Sequence, residues 1–463
     1  MLRSFLLASV ALAPLAFAAD PASASCSPSK PDNGGTVTCS GTDTKGVDRK
    51  DVDAVTVTVN SGATVTNASD TGKHVFRFND GATFDIRGTI ESFSDKDALN
   101  LVDGATVSLV GATLKSATGD GVQAETGLNL TIDANSVITV GKKGVNGGDG
   151  DNSTVINRGT ITAGTEGVEL GDNSRIENYG TINALDDAIN AGENVTIINY
   201  GTLHSQIDSL GIDFVQDAID IDSGTVTNFG TILSDDDAAI DFDATTDLST
   251  ASVITNSGLI KGAEGIIVET GFDDAGNPNG EVGNLGIQQV VNLAGGRIEA
   301  TSGPALKLGA GNDLYSGARG SVLVGMTDMG IGDDVFSISA GAVISGDVFL
   351  GAGDDLLDIT DVLEQGSFGD LGLFDGGSGT DVVSFADYAW TDLIGLGWLD
   401  SVLSLSFADG FALDLTNFDS FAFSDVTWDV ADLRLPAVPL PAPALMLISA
   451  LGGFGVLRRL RKH

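Results

Sequence analysis

A five-residue motif, Asn-x-Gly-Thr-aliphatic, returns along this chain at an interval too long for a hairpin and too short for a domain. Asn157-Arg158-Gly159-Thr160-Ile161, Asn178-Tyr179-Gly180-Thr181-Ile182 and Asn199-Tyr200-Gly201-Thr202-Leu203 recur every 21 residues. Asn228-Phe229-Gly230-Thr231-Ile232 and Asn256-Ser257-Gly258-Leu259-Ile260 follow after 29 and 28. A second element keeps step with the first: Asp97-Ala98-Leu99, Asp120-Gly121-Val122, Glu166-Gly167-Val168, Asp187-Ala188-Ile189, Asp217-Ala218-Ile219 and Glu264-Gly265-Ile266. Each repeat thus supplies two or three short strands between Gly, Asn and Asp turns. Three strands of about five residues plus turns make one coil of a parallel β-helix. Equivalent apolar residues would then stack ~4.8 Å apart and fill the interior. The motif Asn suits either a stacked side-chain amide ladder or a left-handed turn, and the Gly suits a sharp bend. A β-sandwich needs antiparallel hairpins with two-residue turns, and few stand at the right spacing. The expected fold is all-β, a single right-handed parallel β-helix. About a dozen coils would run from Asn60 to Ile344, flanked by a short N-terminal signal helix and a C-terminal transmembrane helix.

Charge narrows what such a fold could bind. The chain has 64 acidic against 23 basic residues and 62 Gly. From Ile176 to Ile260 there are 15 acidic residues and no Lys or Arg; from Gly320 to Leu433 there are 21, again with none. Phosphate contacts need a basic surface, so nucleic acid is excluded as a partner. A divalent cation, a cationic partner or plain solubility stays open. The Thr column of the motif (Thr89, Thr113, Thr160, Thr181, Thr202, Thr231) reads as β-propensity on a solvent face rather than an ice-binding array.

The ends address the chain. Met1-Leu2-Arg3, the apolar run Phe5 to Phe17 and the small-residue site Ala16-Phe17-Ala18 have the layout of a secretory signal peptide over 1–24, with a second cut open after Ala24. In an oxidising exported setting Cys26 and Cys39, the only two cysteines, are expected to pair. Leu435 to Leu457 is apolar and long enough to span a bilayer, and the basic cluster behind it should stay cytoplasmic. Val438-Pro439-Leu440-Pro441-Ala442, an apolar helix, then Arg458, Arg459 and Arg461 resemble the VPLPA-CTERM sorting signal, a relative of PEP-CTERM. That resemblance implies an exosortase-type processing enzyme as partner and a precursor held transiently in the inner membrane. A cell-surface or extracellular product would follow. An ordinary membrane anchor is the alternative.

Two further resemblances concern the body. Cys26 to Cys39 with Ser40-Gly41-Thr42-Asp43, and Asn417-Phe418-Asp419-Ser420-Phe421 with Trp428, are similar to the N-terminal cap and the closing coils of autotransporter-adhesin passengers. No C-terminal β-barrel follows here; the sorting segment stands in its place. Between residues 309 and 381, Gly309-Ala310-Gly311-Asn312-Asp313, Gly330-Ile331-Gly332-Asp333-Asp334, Gly351-Ala352-Gly353-Asp354-Asp355 and Gly376-Gly377-Ser378-Gly379-Thr380-Asp381 resemble the RTX nonapeptide. The resemblance implies calcium as a cofactor, bound through Gly311, Asp313, Gly332, Asp334, Gly353, Asp355, Gly379 and Asp381. Carbonyls and carboxylates of stacked turns would make its oxygen cage. Only the last copy carries the full pattern, and the aspartates are 21, 21 and 26 residues apart rather than nine. A ladder of structural Gly-Asp turns without an ion stays open. The organisation read from these features is a signal peptide at 1–24, an N-terminal cap at 25–59 and motif coils at 60–305. Gly-Asp coils at 306–384, a C-terminal cap and linker at 385–434 and the sorting segment at 435–463 complete it.

A catalytic reading rests on Asp186-Asp187, which has some likeness to the paired aspartates of pectin-hydrolysing β-helices. Asp217 and Asp237 would extend it. The His-containing and Arg-x-Lys segments of that family are absent, and a lyase would need a Lys or Arg that 176–260 lacks. The expected function is therefore non-enzymatic: an exported surface or matrix protein, adhesive or structural, with a glycan or cell-surface ligand. The alternative is a polysaccharide-active hydrolase or lyase using Asp186, Asp187, Asp217 and Asp237.

Overall fold

The computed structural model describes residues 25–434 except 68–71, 149, 208–215, 244–250, 269–285 and 361–370. Its strands are short, three to five residues for the most part, and alternate buried and outward positions as Val, Ile and Thr dictate on a pleated surface. They wind into an all-β, right-handed-type solenoid of about 13 turns with almost no helix. The chain falls into two compact units, Met1–Gly224 with Gly230–Asp236, and Thr225–Phe229 with Asp237–His463.

In the first unit each coil carries three strands, and the parallel register stacks one apolar side chain per strand. On the first face Val37, Val57, Phe84, Val107, Leu130, Val155, Ile176 and Ile197 stand over one another. Val65, Ile90, Leu114, Ile138, Ile161, Ile182, Leu203 and Ile232 do so on the second. Val47, Phe76, Leu99, Val122, Val145, Val168, Ile189 and Ile219 fill the third. All 24 are at most 1% exposed, and at ~1.5–3 kcal/mol per fully buried aliphatic these columns dominate the unit's stability. The Thr column also stacks in register, begins at Thr42 and Thr64, and is interrupted by Val137. The expected disulfide joins Cys26 to Cys39 across an antiparallel pair at the entry to the fold.

The second unit continues the same logic with larger side chains: Ile254, Val290, Tyr315, Phe336, Leu357, Val383 and Phe421 form its first-face column. It ends in an antiparallel meander, Leu393–Leu399, Val402–Phe407 and Ala412–Thr416. Under it Phe385, Tyr388, Phe407, Phe411 and Phe423 cluster. Ser420–Phe423 pairs in parallel with Val382–Phe385 and then antiparallel with Thr427–Asp429.

Both expected terminal helices fall on 1–24 and 435–463, outside the described residues, as do Val438, Pro439, Leu440, Pro441, Ala442, Arg458, Arg459 and Arg461. Among the described residues no helix is long and apolar enough to cross a membrane.

Candidate functional site

Side chains that run from coil to coil make ladders, and the site candidates are parts of them. The motif asparagines chose the amide ladder over the left-handed turn. Asn157 Nδ2 donates to Asn178 Oδ1 and Asn178 Nδ2 to Asn199 Oδ1, both at 2.9 Å. In the second unit Asn228 donates to Asn256 at 2.9 Å and Asn256 to Asn292 at 3.0 Å. All six are fully buried. The Gly two positions on has a separate reason: a Cβ on Gly180 or Gly201 would collide with the carbonyl of the equivalent glycine one coil before. On the outer edge of these turns Arg158 lies 4.8 Å over the Tyr179 ring, which stacks on Tyr200 at 4.9 Å and 5°. Tyr179 and Tyr200 are 42% and 49% exposed.

Asp187, the centre of the catalytic reading, occupies a rung. Its Oδ1 accepts the Asp217 N–H at 3.0 Å and its other oxygen accepts Asn190 Nδ2 at 3.2 Å. Asp97 does the same for Asp120 N–H and Asn100 Nδ2, at 3.0 and 2.9 Å, and Asp120 for Lys143 N–H and Asn146 Nδ2. These aspartates share the one-per-coil position of the second repeat element. Their environments differ: burial and then the Asp186 charge push Asp187 up to about 7. At Asp97 burial acts the same way but is outweighed by hydrogen bonds from His74, Asn100 and the Asp120 N–H, which hold the carboxyl below its usual range. Asp186 is raised as well, by burial and the charge of Glu166.

The Gly-Asp turns are brought together as the spacing of one coil implied. Ala310, Ile331, Ala352 and Ser378 bridge in parallel. Gly332, Gly353 and Gly379 hold φ of 148°, 150° and 146°, and a Cβ on any of them would strike the carbonyl of Gly311, Gly332 or Gly353 respectively. Only glycine fits there. The four aspartates point inward, no more than 1% exposed. Each gives one oxygen to the N–H of its equivalent a coil earlier. Asp313 Oδ1 receives Gln288 N–H at 2.7 Å, Asp334 receives Asp313 at 2.7 Å, Asp355 receives Asp334 at 2.8 Å, and Asp381 receives Asp355 at 3.0 Å. Asp419 closes the series by accepting the Asp381 N–H at 3.0 Å. The second oxygen, Oδ2, of Asp313, Asp334, Asp355 and Asp381 is buried and has no hydrogen-bond partner. Beside this inner ladder runs an exposed one of opposite sense, Asn312 Oδ1 to Asp333 N–H, Asp333 to Asp354 and Asp354 to Thr380, at 3.0, 2.9 and 2.8 Å.

An RTX-type cage needs turn carbonyls free to converge on an ion. Here Gly309 and Ile331 carbonyls accept from Ile331 and Gly311, and Gly330 and Ala352 carbonyls from Ala352 and Gly332. Those of Gly351 and Ser378 accept from Ser378 and Gly353. These six carbonyls accept coil-to-coil bonds, and the inward Oδ2 of the four aspartates has no hydrogen-bond partner. Asp419, Gln288 and the outer ladder were not singled out in the sequence. The signal for an inward carboxylate was present: the apolar residue two positions after each Asp must face the core, and strand alternation turns the Asp the same way.

No protein-family model matches this chain, and neither any curated protein nor any solved structure is similar to it.

Proposed function

We propose that this chain is a non-enzymatic, exported surface or matrix protein that presents a β-solenoid to a glycan or cell-surface ligand. What supports the reading most is the occupation of Asp187: both of its oxygens are engaged as a rung, in the role that Asp97 and Asp120 play where no catalysis is in question. The exposed Arg158–Tyr179–Tyr200 stack offers such a ligand aromatic edges and a cation on an otherwise acidic body. An exosortase-type enzyme acting near Val438–Ala442 stays part of the proposal.

One observation favours the alternative, a polysaccharide hydrolase: a carboxyl held near 7, as at Asp187, suits a general acid. The full chain should be incubated with acidic and neutral polysaccharides while reducing ends and unsaturated products are followed, alongside a glycan and whole-cell binding screen. The proposal expects no turnover, and binding weakened about tenfold or more by Tyr179→Ala with Tyr200→Ala, since stacked aromatics contribute ~1 kcal/mol or more each. Turnover that disappears in Asp187→Asn would establish the hydrolase instead.

A further inference from the structure

Two strands at the close of the second unit stand at sheet edges, and they are built differently. One is Thr427–Asp429, three residues paired antiparallel with Ser420–Phe423 and running straight into the short helix Val430–Leu433. Its shortness and the charge of Asp429 blunt it as a template for further pairing. The other is Leu393–Leu399, seven residues reading Leu-Ile-Gly-Leu-Gly-Trp-Leu, without a charge or a proline. Among the described residues it pairs on one side only, with Val402–Phe407. No backbone group from Ile394 to Leu399 bonds any other described segment.

The side chains on this long edge are apolar and open. Ile394, Leu396 and Leu399 are 69%, 39% and 74% exposed. Leu396 and Trp398 stand opposite Leu405 and Leu403, and residues directly opposite in an antiparallel pair share a face. Leu403 and Leu405 are buried, so Leu396 belongs to the core-facing side and is uncovered because no described strand lies beyond it. A cavity of about 410 Å³ opens beneath, with Trp398, Leu403, Leu415 and Phe421 in its lining. An exposed, uncharged edge of this length is a template for another strand.

We propose that a second copy of this chain docks on the edge, its own Leu393–Leu399 strand pairing antiparallel across a two-fold axis at Leu396. The order of residues chooses that occupant first. The strand reads nearly alike in both directions: Leu at each end, then Ile394 or Trp398, then Gly395 or Gly397, with Leu396 at the centre. A two-fold interface has to be self-complementary. This order sets Leu393 against Leu399, Ile394 against Trp398 and Gly395 against Gly397 of the other copy. Charge chooses it second. A net charge of −41 makes copies of the chain repel one another, and this strand brings no charge to the contact. Asp392 and Asp400 meet only at its rim, so salt, which screens them, strengthens the association. A single seven-residue strand is a small contact beside the ~800 Å² per partner of a stable interface, which sets a weak, micromolar affinity.

Analytical ultracentrifugation of the full chain over a range of salt, in a mild detergent that disperses its apolar ends, tests this. A reversible monomer–dimer equilibrium that tightens as salt rises is expected, weakened about tenfold or more in Leu396→Lys. Cross-linking then reads the register. The chain's two cysteines are bonded to each other, so a cysteine placed on the edge reports its distance from the same residue in the other copy. Leu396→Cys should oxidise to a linked dimer, because directly opposed residues lie within disulfide reach. Leu399→Cys, at a more exposed position, should not, since the pairing sets it ~20 Å from its counterpart. A chain that stays monomeric at high micromolar concentration would overturn the proposal, as would association that Leu396→Lys leaves intact or two cysteine variants that link alike. Binding of neutral lipid vesicles through this strand without a linked dimer would make the edge a membrane contact instead. Should Leu396→Lys not fold, the comparison of the two cysteine variants decides.

Discussion

Buried polar residues help hold these coils in step, and each finds its partner one coil away because the register is kept through the motif coils. Asn178 shows the dependence: its Oδ1 receives Asn157 Nδ2 and the Gly180 N–H, and its Nδ2 reaches Asn199. Asn178→Ala removes three buried bonds at once: the Gly180 N–H loses its acceptor, and Asn157 Nδ2 and Asn199 Oδ1 keep only the Thr181 carbonyl at 3.4 Å and the Gly201 N–H at 3.2 Å. A loss of about 2–4 kcal/mol is expected in denaturant unfolding, since each orphaned buried group costs ~1–3 kcal/mol. A loss under ~0.5 kcal/mol would show that the ladder only decorates the aliphatic columns. Asp187 belongs with these asparagines by its bonds, although its raised carboxyl also fits acid chemistry.

Turns and strands carried most of the legible information. The 21-residue recurrence of Asn-x-Gly-Thr-aliphatic is what stacks Ile161, Ile182 and Leu203, and it could be read because apolar parity and turn residues repeat together. The Gly-Asp turns were legible as a column but not as an interior one. The coil-to-coil bonds of the Gly309, Gly330 and Gly351 carbonyls depend on which turn lies above which, and a single sequence does not carry that. The antiparallel closing meander was not legible, since nothing in Leu393–Leu399 marks a change from parallel to antiparallel pairing. Gly353 tests the turn stack directly. Gly353→Ala places a Cβ against the Gly332 carbonyl at a φ of 150°. The expected result is at least ~2 kcal/mol lost from unfolding stability, because both strain and a clash are introduced. A thermally unaltered variant would mean that the turns are not stacked this closely.

At the scale of the whole molecule, a net charge of −41 sets the conditions under which the chain folds and works. Such a charge keeps a protein dispersed and opposes its own compaction, and four of the carboxyls counted in it, Asp313, Asp334, Asp355 and Asp381, lie inside. Burial raises all four of these carboxyls, so near neutral pH the column carries less than its full charge. Stability that depends on the protonated column is lost as pH rises through about 6 to about 8. Infrared spectroscopy of the full chain, titrated from about pH 4 to about pH 9, reads the protonated carboxyl directly. A carboxylic-acid band is expected that outlasts the ordinary carboxyl titration, fades between about pH 6 and about pH 8 as Asp381, Asp313 and Asp334 ionise, and weakens in Asp334→Asn. Complete loss of that band by about pH 5, in a chain still folded, would contradict it.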